Sequence, residues 1–199
     1  MQAQPDDDSE ALVTAVARGD RGALARLYDR FSPLVYAVAA RILGNRADAD
    51  ECFQEACLDA FRRSRREEVR SWRGLLQRLA AARAIDRLRR RPRTAGAAVE
   101  DWDALEGPDA SPVRAAEEAE LAGRLREALA DLPARQAEVF CLCGLEEWSY
   151  QEAADQLGVS VVAVGVLLHR ARCRLRQLLA AAVEPSGEAG PRVPRKEPS

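Results

Sequence analysis

Lysine is almost absent from this chain: Lys196 is one of thirty basic residues, and the other twenty-nine are arginine. Histidine occurs once, as His169. No run of about 18 apolar residues occurs, so no membrane-spanning helix and no membrane insertion are expected. The N-terminal MQAQPDDDSE is acidic and polar, the opposite of a secretory signal, and the expected location is cytoplasmic. The five cysteines, at 52, 57, 141, 143 and 173, are an odd number without such a signal, which argues against a disulfide framework. Cys141 and Cys143 form a Cys-x-Cys with no second ligand pair. A metal site needs about four ligands, so these thiols read as buried helix-face residues, and no metal or cofactor is expected. There is no Gly-rich phosphate loop either. These absences argue against an enzyme.

The chain has 199 residues, 47% of them apolar, enough for two small packed domains and a linker. Its Ala, Leu and Arg content favours an all-α fold. The net charge of −2 conceals an asymmetry. Residues 1–61 carry six Arg and eleven acids; residues 62–93 carry thirteen Arg and three acids, a balance of +10. Such a block suits a polyanion, and arginine grips phosphate with a planar fork.

Residues 1–8 read as disordered. Ser9 is placed to cap a short helix ending at Gly19, and Asp20 a second, running to Phe31. Ser32-Pro33 predicts a restart or bend, with helix resuming to Gly44. Asn45 caps the next helix, whose apolar pairs Cys52/Phe53, Ala56/Cys57 and Ala60/Phe61 recur every four residues. Ser71 caps another, ending before Pro92. The predicted organisation is a helical bundle over 9–91, an acidic flexible linker over 92–112, and a second helical domain over 113–183. A disordered tail follows at 184–199. The linker's second half carries Glu100, Asp101, Asp103, Glu106 and Asp109 with no basic residue. Ser111-Pro112 and Pro133 each open a helix of the second domain.

The most informative segment is Ser149–Leu179. Ser149-Tyr-Gln-Glu152 has the spacing of a capping box. A short helix, Gly158-Val159-Ser160, and a longer helix from Val161 follow. Ala154 would let two helices cross closely, Gly158 permits the tight turn, and Ser160 would cap the second helix. Val164, Leu167, Leu168, Ala171, Leu175 and Leu178 supply a buried stripe. This is a helix-turn-helix pattern; an ordinary helical hairpin is the plainer reading of the same spacing.

The segment closely resembles the C-terminal domain of sigma-70 family factors of the extracytoplasmic-function (ECF) subfamily. Matching positions include Leu132, Pro133, Arg135, Gln136, Ser149, Tyr150, Glu152, Ala154, Gly158, Ser160, Leu168, His169, Arg170 and Ala171. The front half is similar to the same subfamily at Leu27-Tyr28, Pro33–Tyr36, Arg41–Gly44, Asp48, Gln54, Glu55 and Arg83–Arg89. The resemblance implies an alternative sigma factor with three partners: RNA polymerase core, promoter DNA and an anti-sigma factor. It implies that Asp48, Asp50, Glu51, Gln54 and Glu55 dock on core. It assigns Arg62, Arg63, Arg65, Arg66, Arg73, Arg83, Arg87 and Arg90 to the −10 element. Ser160, Val161, Val162, Val166, His169, Arg170 and Arg172 would meet the −35 element. Trp72 and Phe61 fit the apolar stripes and are expected in the core rather than stacked on bases. Asp86 is expected to pair with Arg83 or Arg90.

Two departures fall on the DNA-reading surfaces. Gly165, Val166 and Leu167 stand where the subfamily carries polar or basic residues, and Ala82 replaces its usual Asn. Few base-edge donors remain early in the second helix. Two other readings therefore stay open: a sigma-like protein-interaction regulator with weakened DNA readout, and a helix-turn-helix repressor that binds an operator as a free dimer.

Overall fold

The computed structural model describes residues 11–181 apart from 13, 17, 65, 67, 68, 70 and 92–111. The expectations for residues 1–8, Ser9, the linker and the tail lie outside the described residues, as does Arg65. Among the described residues every regular element is helical. After a short helical stretch within 11–16 come α1 (Arg21–Leu43), α2 (Arg46–Ser64) and α3 (Trp72–Arg90). The second domain has α4 (Pro112–Ala130), α5 (Ala134–Phe140), a π-turn (Cys141–Leu145), α6 (Tyr150–Leu157) and α7 (Val161–Ala181).

Local chemistry sets most of the ends. The Asp20 carboxylate accepts from the Gly22 and Ala23 amides at 2.8 and 3.1 Å. Asn45 accepts from Asp48 N at 3.0 Å, and Ser71 from Gly74 N at 3.1 Å. Each satisfies an amide that the first turn of a helix leaves unpaired.

The helix does not restart at Ser32-Pro33; α1 runs through Pro33. Proline removes the amide that would bond to the Asp29 carbonyl, and the Ser32 hydroxyl donates to that carbonyl instead, at 3.4 Å. The buried stripe Ala23, Leu27, Phe31, Val35, Val38, Ile42 continues across the proline without a phase change. Burying side chains of this size is worth about 1.5–3 kcal/mol each, which together exceeds the roughly 3 kcal/mol cost of an internal proline.

α3 lies at the centre of the molecule. It packs on α1 and α2 with one side and on α4, α5, the π-turn and α6 with the other. Trp72, Leu75, Leu76, Ala80, Ala84, Ile85 and Leu88 are buried along it, and one apolar core runs through both domains. The π-turn was not anticipated. Its wider winding, with Glu146 N bonded to Cys141 O at 3.0 Å, accompanies burial of both Cys141 and Leu142.

The second domain ends in the expected motif. α6 and α7 meet at 104°, within the range of helix-turn-helix units. The capping box at Ser149 and Glu152 is formed. Ser160 Oγ accepts from Ala163 N at 3.1 Å. Val164, Leu168, Ala171 and Leu175 are buried, with Leu167 and Leu178 partly buried beside them.

Two glycines of this motif have room for a methyl group. Nothing lies within 4 Å of a Cβ at Gly158, and at Gly165 the nearest atom is 3.6 Å away on the Tyr150 ring. Their backbones differ, because Gly158 has φ +65° and Gly165 lies inside α7. In urea denaturation Gly158→Ala should lose about 1–2 kcal/mol, since an L side chain is strained in the left-handed region. Gly165→Ala should gain up to about 1 kcal/mol. A gain at Gly158 or a loss at Gly165 would contradict this geometry.

Candidate nucleic-acid interface

Three surfaces carry the candidate residues. The first is on α2, where spacings of three and four put Asp48, Glu51 and Glu55 on one stripe. Their carboxylates converge on one guanidinium from α3: Arg87 Nη1 lies 2.5 Å from Glu51 and 3.3 Å from Asp48, and Nη2 lies 3.2 Å from Glu55. Arg91 also pairs with Asp48. Asp50 and Gln54 are exposed nearby. Leu58 continues this face and is 55% exposed. Its signal in the sequence was a leucine one turn beyond Gln54, outside the buried pairs of α2.

The second surface is the basic block, which the structure divides. Arg83 pairs with Asp59, and its guanidinium is held above its usual range by that hydrogen bond. Arg78 Nε lies 3.0 Å from Glu138, and its Nη1 donates to the Gln156 carbonyl at 2.5 Å. Arg89 donates to the carbonyls of Ala130 and Leu132 at 3.2 and 2.8 Å, satisfying oxygens at the end of α4. Asp86 pairs with Arg89, at 3.7 Å, rather than with Arg83 or Arg90 as expected. Arg83 is drawn instead to Asp59 on α2. Arg62, Arg66, Arg73 and Arg90 are exposed, Arg62 with a solvent-facing contact to Asp59 at 3.3 Å. Arg63 is half-buried. Trp72 is buried, as its stripe indicated, while Phe61 is partly buried in an apolar pocket with Tyr28, Phe31 and Trp72.

The third surface is the outer side of α7. Val161, Val162 and Val166 are exposed, with Tyr150 of α6 beside Gly165. His169, Arg170 and Arg172 are exposed further along. His169 Nε2 lies 3.6 Å from Cys173 Sγ, so, against the expectation that the chain has no Cys–His pair close in sequence, one does occur, four residues apart. Ser160 is committed to its cap. Burial pushes the Cys52 and Cys141 thiols up to about 12 and Cys57 to about 11, so these sulfurs stay protonated packing groups. Among the described residues no group of three or more His, Cys, Asp and Glu could hold a metal ion. No single described helix is long and apolar enough to cross a membrane.

This arrangement of a bundle and a helix-turn-helix coincides with two family matches: sigma-70 region 2 over residues 27–94, and sigma-70 region 4 over residues 122–175. The ECF RNA polymerase sigma factor SigE of Mycolicibacterium smegmatis is 31% identical over 89% of this chain and 70% of its own length. The chain belongs to the sigma-70 family, in its extracytoplasmic-function branch. The ECF sigma factor SigD of Mycobacterium bovis is 30% identical over 87% of this chain and 84% of its own. The structure of CnrH in complex with the cytosolic domain of CnrY is similar too, at 26% identity and a TM-score of 0.58, covering 88% and 99% of the two chains. The protein is an alternative sigma factor that directs transcription initiation. Its family is a non-enzymatic one of transcription regulators.

In this sigma factor the two domains are joined by polar contacts as well as by the shared core. Besides Arg78, Arg41 of α1 donates to the Leu145 carbonyl and the Glu146 carboxylate, at 2.9 and 2.8 Å. Arg78 and Glu138 have side chains only 19% and 12% exposed. A double-mutant cycle with Arg78→Ala and Glu138→Ala should give a coupling of about 1–3 kcal/mol in thermal or urea unfolding. The pair Arg62–Asp59, whose arginine is 71% exposed, should give less than about 0.5 kcal/mol in the same assay. Equal couplings would show that the two domains are not held by the half-buried Arg78–Glu138 pair.

Proposed function

We propose that the sigma factor works by dividing its charge between two partners. The acidic face of α2, with Asp48, Asp50, Glu51, Gln54 and Glu55, docks on RNA polymerase core. The exposed arginines of the last turn of α2, of the loop after it and of α3, namely Arg62, Arg66, Arg73 and Arg90, meet the −10 element. The outer side of α7 enters the major groove at the −35 element. The segment between α3 and α4 connects the two domains so that both can engage one promoter. The protein acts by binding in the cytoplasm, without catalysis of its own. A regulatory partner covering these surfaces belongs to the same reading: an anti-sigma factor, in the way that the cytosolic domain of CnrY accompanies CnrH.

The observation that carries this reading is the segregation of charge on neighbouring helices. α2 presents carboxylates around exposed Leu58, while guanidiniums outside the strong internal pairs gather around the start and the end of α3. Arginine in such positions neutralises phosphate and releases counterions.

The two roles separate by mutation. Asp50→Arg with Gln54→Arg alters exposed side chains, so melting should move by no more than about 0.5 kcal/mol while core affinity falls at least about tenfold. Replacing Arg62, Arg66, Arg73 and Arg90 with Ala should leave core affinity unchanged. It should reduce the salt dependence of promoter binding by about 0.7–0.9 in slope for each phosphate that is no longer neutralised. Core binding at wild-type strength by the first variant, or a promoter slope unchanged in the second, would contradict the assignment.

The −35 surface leads to a different expectation. Val161, Val162 and Val166 can meet thymine methyls, but apolar contact discriminates less than a bidentate arginine–guanine pair, worth about 1–3 kcal/mol. Selection from a promoter library should therefore yield a sharply defined −10 element and a loosely defined −35 element. Equal sharpness at both would refute weak readout by α7.

A further inference from the structure

The resemblance placed Arg87 among the arginines that bind promoter DNA, but its guanidinium lies against the acidic face of α2. It bridges three carboxylates, those of Asp48, Glu51 and Glu55, and its side chain is 21% exposed. Arg91 adds a second guanidinium beside Asp48. A phosphate reaching Arg87 would have to approach these carboxylates at close range, where like charges repel. The basic helix thus sends one of its arginines away from the nucleic-acid surface and into the docking surface.

Resting on the sigma-factor reading above, we propose that Arg87 is a positioning residue of the polymerase-docking face. It gathers Asp48, Glu51 and Glu55 into one array and makes no contact with the promoter. Three carboxylates on one stripe repel one another and would splay into solvent as independent rotamers. The planar fork of arginine fixes several acceptors at once, which a flexible ammonium does not. Glu51 and Glu55 remain 67% and 46% exposed while bound to Arg87, so each keeps carboxylate surface turned to solvent. The array is therefore preorganised for a partner surface carrying guanidinium or ammonium groups. Preorganisation of this kind strengthens association by reducing the side-chain ordering that binding requires. The same contacts tie α2 to α3, so the docking face is registered against the helix that carries the exposed −10 arginines.

The test uses the full-length chain, with Arg87→Ala and Arg87→Lys. Three quantities are measured: melting, affinity for core by fluorescence titration, and the salt slope of promoter binding by holoenzyme assembled at saturating core. Arg87→Ala should weaken core binding at least about tenfold and leave the promoter salt slope at its wild-type value. Arg87→Lys keeps the charge and loses the fork; it should melt close to wild type and still bind core several-fold more weakly. This second variant decides the matter if Arg87→Ala fails to fold. Unchanged core affinity with a promoter slope reduced by about 0.7–0.9 would overturn the proposal and make Arg87 a phosphate-binding residue. The Asp50→Arg, Gln54→Arg protein separates the two levels of failure. If it too binds core normally, the docking reading itself falls; if it does not, and both Arg87 variants do, only the positioning role falls.

Discussion

The structure turns on α3, a helix buried along two sides that also carries arginines around its circumference. An apolar helix in that position would serve packing alone. With arginines on it, each guanidinium near the core must find carboxylates or carbonyls, because an unpaired buried charge costs several kcal/mol. Arg78 finds Glu138 and Gln156, Arg83 finds Asp59, Arg87 finds the α2 stripe, and Arg89 finds the end of α4. The contacts of Arg78 and Arg89 hold the two domains together, those of Arg83 and Arg87 tie α3 to α2, and the solvent-facing Arg73 and Arg90 at the two ends of the helix stay outside these pairs. On the proposed function, promoter binding, polymerase docking and domain packing are three demands on one element, met by different arginines.

The helix-turn-helix follows a different logic. Its frame is made by local capping and a glycine turn, and its buried stripe is apolar and continuous. Its outer surface carries Val161, Val162 and Val166, the last of them where the subfamily carries polar or basic residues. Such a helix can sit in a groove through shape and methyl contacts, with Arg170 and Arg172 supplying charge further along. On the proposed function, specificity then shifts toward the −10 element, which the basic block is proposed to meet.

Much of this was legible in the sequence because the responsible interactions are local. Asp20, Asn45, Ser71, Ser149 and Ser160 cap helices through amides two or three residues away, so spacing alone revealed them. The buried stripe of α7 was legible for the same reason. The continuity of α1 through Pro33 was not, because it depends on packing against α2 and α3 as well as on the Ser32 hydroxyl. The π-turn at Cys141–Leu145 left no periodic signature, since it is one turn long. The partners of the arginines were the least legible part. Asp86 was matched to Arg83 and Arg90 by helical spacing, whereas Arg83 reaches Asp59, 24 residues earlier. Composition shows that a block is basic; tertiary contacts decide which of its charges remain available.

A sigma factor gives core polymerase the ability to start at defined promoters. Run-off transcription with purified core, the full-length chain and duplex DNA carrying candidate promoters measures that directly. The expected result is discrete transcripts that need both core and chain, with start sites a fixed distance from a shared −10 sequence. Transcripts no different from those of core alone, together with tight binding of duplex DNA by the free chain, would contradict it and make the protein a helix-turn-helix repressor.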